Sequence, residues 1–251
     1  PDRKKGREFP GFNKLISLAQ DVAKIQNRTL DSDMMRHVLS LSCIESMIPN
    51  FNIDDSIDLV IGDGFGVLSS LINRYTGNKV ASVNLNEVLL VDYLYTRGII
   101  ADEGTVLAMT ESDIEEAINN KKIQLVYIQA DNHSLIRNLP IRVAYNLASM
   151  QEMNPSIIGQ YFEDLRNCRS KTLYFYCDNR VEKVLIDGTI VRFQEYPWSN
   201  NDEILIDELC PWHQHFYISN PLHRRFYSTR LPFYRKFDGP HQHRLAKFSN
   251  L

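Results

Sequence analysis

Apolar side chains recur every three or four positions over residues 12–48, which is the spacing of one face of an α-helix. The first group comprises Leu15, Leu18, Ala19, Val22 and Ile25, and the second comprises Met34, Met35, Val38, Leu39 and Ile44. This pattern predicts at least two helices before the first strand.

Short apolar runs, several of them rich in β-branched residues, alternate with helical stretches from residue 57 onward. Because parallel strands need a crossover connection, the alternation predicts an α/β fold with a mainly parallel sheet and helices on both faces. Ligands of such sheets bind at the carboxyl ends of the strands. The predicted strands are 57–61, 79–85, 104–109, 123–129, 141–146 and 172–177, and the predicted helices include 87–95, 111–120 and 155–168.

Aromatic and histidine residues concentrate at the end of the chain. Residues 192–251 hold 12 aromatic residues against 14 in the preceding 191, and they hold five of the seven histidines. We therefore divide the chain into an N-terminal helical segment (1–50), an α/β core (51–190) and a C-terminal segment (191–251). The last segment is expected to pack on the core and to recognise the substrate.

Composition and charge are those of an ordinary globular protein. Apolar residues make up 43% and charged residues 24% of the 251 residues, and a net charge of -3 lacks the basic excess of nucleic-acid-binding proteins. No apolar run approaches the roughly 20 residues of a membrane span. We expect a cytoplasmic protein with no nucleic-acid partner, preceded by a segment that carries the initiator methionine. The cysteines, expected to be reduced, are Cys43, Cys168, Cys177 and Cys210.

A glycine-rich turn follows the first predicted strand. Gly62, Gly64 and Gly66 clear the backbone of side chains, and helical spacing resumes at Val67. A dinucleotide-binding turn would place its third glycine at position 67, so this spacing favours the tighter turn common in methyltransferases over an NAD site. The amides that open the next helix would then lie near the ligand. The alternative is a turn that only ends a strand.

A polar residue at the end of the second strand is expected to hold the ribose hydroxyls of such a ligand. Asn84 occupies that place, 18 residues after Gly66. Its amide can donate and accept hydrogen bonds but lacks a carboxylate's charge. Glu87 is a substitute one helical turn later, and the alternative role for Asn84 is to cap the next helix.

Several short motifs follow one another along the chain. With these motifs in this order, residues 50–248 resemble the class I methyltransferases that use S-adenosylmethionine, and more narrowly the sugar O-methyltransferases associated with bacterial surface polysaccharides. The resemblance implies a Rossmann-like core, S-adenosylmethionine as methyl donor and a sugar hydroxyl as acceptor, in polysaccharide or glycan biosynthesis. The motifs are residues 61–66, 149–153, 174–176, 179–180, 195–198, 238–240 and 243–245.

The resemblance also implies where the cofactor binds. Two positions depart from the family, because Val60 and Asn84 stand where acidic residues are usual. We expect Asp63 to supply the missing charge near the methionine amino group. The departures leave open a binding protein that keeps the fold without turnover. The expected cofactor site, within the core 51–190, comprises Gly62, Asp63, Gly64, Phe65, Gly66, Asn84 and Asn146.

Methyl transfer to a hydroxyl usually needs a base that takes up the hydroxyl proton. Glu152 follows the fifth predicted strand, and the resemblance marks it together with Gln151; alternatively, it caps the helix that opens near Pro155. Two His-Gln-His sequences, 213–215 and 241–243, supply competing bases, and we select His213, His215 and His243.

These sequences could also hold a divalent metal ion, but only Asp238 accompanies them, so no metal is expected.

Aromatic rings of the C-terminal segment are candidates for stacking on a sugar, while charged side chains bind its hydroxyls. The alternative is that these rings pack the segment onto the core. The basic run 223–225 could meet the phosphate of a nucleotide-linked or lipid-linked sugar. The leading hypothesis is a sugar O-methyltransferase, followed by a methyltransferase for another small molecule. The candidate substrate residues are Trp198, Trp212, Tyr217, Asp238 and Arg244.

Overall fold

The computed structural model describes residues 2–51, 56–217, 234–236 and 239–249. Its α-helices are α1 (Asp2–Gly6), α2 (Phe12–Ile25), α3 (Ser32–Met47), α4 (Val67–Thr76), α5 (Asn86–Thr96), α6 (Glu111–Asn119) and α7 (Pro155–Arg166). Its strands are β1 (Ile57–Ile61), β2 (Lys79–Asn84), β3 (Thr105–Ala108), β4 (Leu125–Gln129), β5 (Ile141–Leu147), β6 (Leu173–Arg180), β7 (Glu182–Val184), β8 (Ile190–Arg192), β9 (Glu203–Leu209), β10 (His215–Tyr217), β11 (Tyr234–Lys236) and β12 (His241–Phe248).

Eight of these strands form one sheet in the order β3-β4-β2-β1-β5-β6-β12-β9. The six strands from β3 to β6 are parallel, and β12 runs antiparallel to both β6 and β9. The predicted mainly parallel α/β sheet is therefore confirmed. The strand order changes direction between β1 and β5, which is where open α/β sheets form a ligand crevice.

Apolar side chains fill both faces of the sheet, as its helices on two sides require. In β1, Leu59 and Ile61 face the layer that contains α6 and α7, while Val60 faces the layer that contains α2, α3 and α4. Successive residues of a strand point to opposite faces, which explains this alternation. Val60 is buried in a core, so an acidic side chain at this position would lie among apolar groups.

Two N-terminal helices cover one face of the sheet, in agreement with the predicted helical spacing. Helix α2 buries Leu15, Ala19 and Val22 along one stripe. Helix α3 begins at a defined point because the Asp31 carboxylate accepts a hydrogen bond from the Met34 amide at 2.8 Å. Among the described residues, none of the helices combines the length and apolarity that a membrane span requires.

The C-terminal segment predicted to begin at residue 191 supplies two strands of the main sheet. Strand β12 pairs with β6 along its whole length, from His241 opposite Arg180 to Phe248 opposite Leu173. Strand β9 then pairs with β12 at the edge of the sheet. This pairing carries the start of β12 to the carboxyl end of β6.

Candidate functional site

The glycine bend, residues 62–66, leaves β1 at its carboxyl end. All three of its glycines have positive φ, at 78°, 86° and 61°. A side chain at Gly62 would clash with Ser149, and one at Gly66 would clash with Thr96. Gly64 has no neighbouring atom within 4 Å of such a position. The bend is thus held by close packing at both ends and is open in the middle.

Asp63 ties the glycine bend to the helix that follows. Its carboxylate accepts hydrogen bonds from the amides of Leu68 at 2.9 Å and Ser69 at 2.7 Å. A negative charge is favourable here because the helix N-terminus carries unpaired amides and a partial positive charge. The predicted contact of Asp63 with a methionine amino group remains a prediction.

A buried carboxylate connects the glycine bend to Asn84. Asp92 of α5 accepts hydrogen bonds from the Gly66 amide at 3.0 Å and from Nδ2 of Asn84 at 2.9 Å. The Oδ1 atom of Asn84 accepts from the Leu85 amide, so both ends of the Asn84 amide are held. The structure contradicts the alternative that Asn84 caps the next helix, since α5 begins after Leu85 without a side-chain cap. Burial raises the pKa of Asp92 to about 7, and the nearby charge of Asp63 contributes.

A cavity of about 370 Å³ lies against the open middle of the glycine bend. This volume falls within the range of about 300–1,000 Å³ common for small-molecule sites. Its wall combines Arg28, Asp31, Asp33, Met34, Arg36 and His37 around the start of α3 with Asp63, Gly64, Phe65 and Val67, with Leu147, Ala148 and Gln151 after β5, and with Arg180, His213 and His241. A second hollow of about 810 Å³ runs along α2 and the following loop, but no residue of the glycine bend lines it.

Three side chains distant in sequence form what we call the aspartate–histidine cluster: Asp178, His213 and His241. Nδ1 of His213 lies 2.8 Å from Oδ2 of Asp178, and Nδ1 of His241 lies 3.1 Å from Oδ1. The two imidazole rings stack with centroids 3.7 Å apart. All three side chains are buried. Burial alone would raise the pKa of Asp178, but the two imidazoles hold it well below its ordinary value.

The remaining predicted bases lie elsewhere. Glu152 is 53% exposed and pairs with Lys183 at 2.6 Å, outside the residues that line the cavity. It does not cap α7, which begins after Asn154 without a side-chain cap. His243 is buried and does not line the cavity; its Nδ1 lies 3.0 Å from the Tyr176 hydroxyl, and burial lowers its pKa. The side chain of His215 lies outside the described residues.

Asn146, expected in the cofactor site, holds neighbouring strands together. Its Nδ2 donates to the Ile61 carbonyl at 2.9 Å, and its Oδ1 accepts from Nδ2 of Asn179 at 2.7 Å. The side chain is fully buried and does not line the cavity. Its contacts fix the carboxyl ends of β1, β5 and β6 relative to one another.

The described aromatic candidates for substrate binding are held by contacts within the protein. Trp198 packs against Phe162 with centroids 4.9 Å apart, and the Arg244 guanidinium lies 4.9 Å from the Trp198 ring. Nε1 of Trp212 donates to Ser40 at 3.1 Å. These rings fit the packing alternative, and their contact with a substrate remains a prediction. Asp238 and the side chain of Tyr217 lie outside the described residues.

Sequence reasoning did not select four residues that surround the cavity or shape it. Asp178 follows an apolar strand, and Asp92 lies within a mostly apolar helix. The sequence therefore marks both as acidic residues in elements that are expected to be buried. His241 belongs to the same His-Gln-His sequence as His243, which was selected instead. Arg180 lines the cavity at the end of β6, and its buried Nε has no hydrogen-bond partner among the described residues.

Comparison with known proteins identifies the fold. No family model matches the chain, and no curated protein matches it. Protein 1320 of Thermoplasma acidophilum is 11% identical, with 93% of this chain and 99% of that chain covered and a TM-score of 0.53. A proposed RNA methyltransferase of Pyrococcus horikoshii is 9% identical, with coverages of 95% and 96% and a TM-score of 0.52. At these identities the likeness establishes a Rossmann-like methyltransferase fold.

Proposed function

We propose that the protein is a methyltransferase that uses S-adenosylmethionine and transfers the methyl group to a sugar hydroxyl. The observation that supports this most strongly is the open glycine bend at Gly64, which faces a cavity at the carboxyl edge of the sheet. In this fold a ligand with an adenosyl group can approach the main chain there without meeting a side chain.

Groups on the cavity wall and at the end of β2 are our candidates for binding each part of the cofactor. In our proposal the ribose extends toward Asn84 at the end of β2, where Leu85 is left 61% exposed to cover the adenine. The methionine carboxylate pairs with Arg180, and the amino group is attracted by Asp63. The sulfonium then lies over the middle of the bend, between β1 and β5.

The acceptor hydroxyl is placed against the aspartate–histidine cluster. Its oxygen attacks the methyl carbon in line with the carbon–sulfur bond, and that bond breaks with its electron pair remaining on sulfur. The hydroxyl proton passes to an imidazole of the cluster as the oxygen–carbon bond forms. His213 and His241 line the same cavity as Gly64, which makes the cluster our candidate for activating this hydroxyl.

A sugar is the acceptor class that the sequence motifs favour. The polar wall, with Gln151, Arg36 and two imidazoles, can hydrogen-bond several hydroxyls. Supporting stacking contacts would have to come from the C-terminal segment, whose side chains from residue 215 to 238 lie outside the described residues.

Two matched glycine variants test the cofactor site. Gly64 and Gly188 have nearly the same φ, 86° and 85°, and neither has an atom within 4 Å of an added Cβ. Gly64→Val and Gly188→Val therefore impose similar backbone strain, but only the first fills the cavity. We expect Gly64→Val to weaken binding of S-adenosylhomocysteine at least about a hundredfold, or about 2.7 kcal/mol, in a calorimetric titration.

Gly188→Val should bind S-adenosylhomocysteine like the wild type, because its glycine lies in the turn between β7 and β8. Equal affinities of Gly64→Val and the wild type would contradict the proposal. A wild-type protein that binds neither S-adenosylmethionine nor S-adenosylhomocysteine at millimolar concentration would contradict it as well.

A further inference from the structure

The two edge strands of the main sheet differ in charge. Strand β9 carries Glu203, Asp207 and Glu208, whereas β3 (Thr105–Ala108) contains no charged residue. An edge strand presents unpaired amides and carbonyls that can pair with another chain, and charged side chains along the strand oppose such pairing. The composition of β9 therefore protects one edge of the sheet, and that of β3 leaves the other edge unprotected.

One face of β3 is only partly covered by the described residues. Val106 and Ala108 pack in the layer that contains α6. Because successive residues of a strand point to opposite faces, Leu107 lies on the side of α5, next to its register partner Tyr127 of β4. Leu107 is 48% exposed there. Helix α5 therefore leaves the edge strand open on this side.

A groove of about 320 Å³ separates α5 from β3, and apolar side chains from both elements line it, among them Leu90 and Leu107. Leu90 and Leu94 lie about one turn apart on α5 and are 58% and 49% exposed. Single exposed leucines are ordinary, whereas three of them beside an unprotected sheet edge are typical of an interaction site. We call Leu90, Leu94, Leu107 and the outer edge of β3 the α5–β3 surface.

We propose that two copies of this chain associate through the α5–β3 surface, with their β3 strands paired antiparallel across a two-fold axis. The association extends the eight-stranded sheet of each copy into one sheet that both copies share. The inference does not rest on the proposed methyl transfer, because the three leucines do not line the cavity at the glycine bend.

The geometry of strand pairing makes this surface complementary to itself. A two-fold axis that relates antiparallel neighbours is perpendicular to the sheet, so it leaves the α5 layers of both copies on the same side. The open faces of the two β3 strands then lie next to each other, and Leu90 and Leu107 of both copies converge over them. Each copy supplies the apolar cover that the other lacks, and such an isologous contact is complete with two copies.

Charge favours a second copy at this edge rather than at the opposite one. Strand β3 brings no like charges into the cross-strand pairs of such a dimer, whereas self-pairing of β9 would bring carboxylates of both copies together. Like charges directly opposite one another destabilise a strand pair. The β3 edge is therefore the one at which two copies can pair without repulsion.

The size of the contact indicates that α5 takes part. Strand β3 has only four residues. Its pairing alone is small against the roughly 800 Å² that each partner buries in a stable interface. The leucines of α5 must therefore contribute to the association.

Sedimentation velocity of the full chain at increasing protein concentration tests the association. We expect a dimer for the wild type. Leu107→Asp places a carboxylate near its two-fold copy in an apolar contact and should weaken dimerisation at least about a hundredfold. Ile204→Asp is the matched control, because Ile204 is 44% exposed on the other edge strand and receives the same charge. It should dimerise like the wild type.

A second pair of variants tests the contribution of α5. Leu90→Asp should weaken dimerisation at least about tenfold. Leu209→Asp, at a similarly exposed position of β9, should leave dimerisation unchanged. Circular dichroism of each variant checks that the fold is retained.

Hydrogen–deuterium exchange locates the contact on the chain. Amides of residues 105–108 should exchange at least about fivefold more slowly in the dimer than in the diluted monomer. Amides of residues 203–209 should exchange equally in both.

A wild-type protein that stays monomeric up to millimolar concentration would overturn the inference. Undiminished dimerisation of a folded Leu107→Asp variant would overturn it as well, as would slower exchange at residues 203–209 instead of 105–108. Titration of the same samples with S-adenosylhomocysteine separates the two proposals. A dimer that does not bind this ligand contradicts only the proposed function, and a monomer that binds it contradicts only this inference.

Discussion

At the scale of single residues, Asp92 places a carboxyl group next to Asn84, at the strand end where the family resemblance leads one to expect an acidic residue. It accepts hydrogen bonds from Asn84 and from Gly66, so one carboxylate fixes both the ribose candidate and the glycine bend. This carboxylate comes from the following helix rather than from β2 itself. A search limited to the end of the strand therefore finds only the asparagine.

Because the pKa of Asp92 is raised, we expect the unfolding free energy of the protein to depend on pH. Burial raises its pKa in the folded state to about 7, above the value in the unfolded chain, so the folded protein binds this proton more tightly. The resulting stabilisation is present at low pH and is lost as the pH rises through 7. The unfolding free energy of the wild type, minus that of Asp92→Asn, should fall by roughly 2–3 kcal/mol between pH 5 and pH 8.

Urea denaturation of both proteins at the two pH values measures this difference, and subtraction removes the contribution of other buried acids such as Asp58. A difference that is the same at pH 5 and pH 8 would show that Asp92 keeps one protonation state over this range.

The histidines of β12 show what the sequence pattern predicts about the site and what it does not predict. Alternation along an extended chain correctly puts His241 and His243 on one face of β12, and both are buried. Of these two, only His241 lines the cavity, whereas His243 packs against Tyr176. Which residue of a strand lies at the edge of the sheet depends on the register of its pairing with the neighbouring strand. The sequence of β12 alone does not specify that register.

At the scale of elements, the loop between α2 and α3 closes one side of the cavity. The Arg28 guanidinium lies 4.6 Å from the Phe65 ring, and Nε2 of Gln26 donates to the Phe65 carbonyl at 3.2 Å. Asp31 caps α3 and pairs with Arg28 at 2.8 Å. The start of α3 is thus coupled to the glycine bend.

Removal of the cap should therefore affect both stability and ligand binding. Asp31→Ala is expected to cost about 1 kcal/mol in unfolding free energy and to weaken S-adenosylhomocysteine binding roughly fivefold. Thr110→Ala provides the control, because Thr110 caps α6 away from the cavity. It should lose similar stability with unchanged affinity. If the two variants bind S-adenosylhomocysteine with equal affinity in calorimetry, the α3 cap does not contribute to ligand binding.

The core elements could be predicted because they carry strong local patterns. Strand β1 matches its predicted bounds, and the other five predicted strands differ only at their ends. Strands β9 and β12 were missed because their residues mix charged with apolar groups, as in Glu203–Leu209. Long-range pairing, rather than local propensity, determines such strands.

At the scale of the whole molecule, two features of the topology place the site. The reversal of strand order between β1 and β5 opens a crevice beside the glycine bend. The antiparallel return of β12 beside β6 brings a histidine from near the end of the chain to that crevice. The sequence predicted a mainly parallel sheet with a ligand at the carboxyl ends of its strands, whereas both of these topological features required the fold.

A crystal structure of the protein soaked with S-adenosylhomocysteine would show whether the glycine bend holds the cofactor. We expect density for the adenosyl group against the glycine bend at Gly64, with the sulfur atom directed toward His213 and His241. Density bound elsewhere on the protein, or an empty cavity in crystals soaked at millimolar concentration, would contradict it.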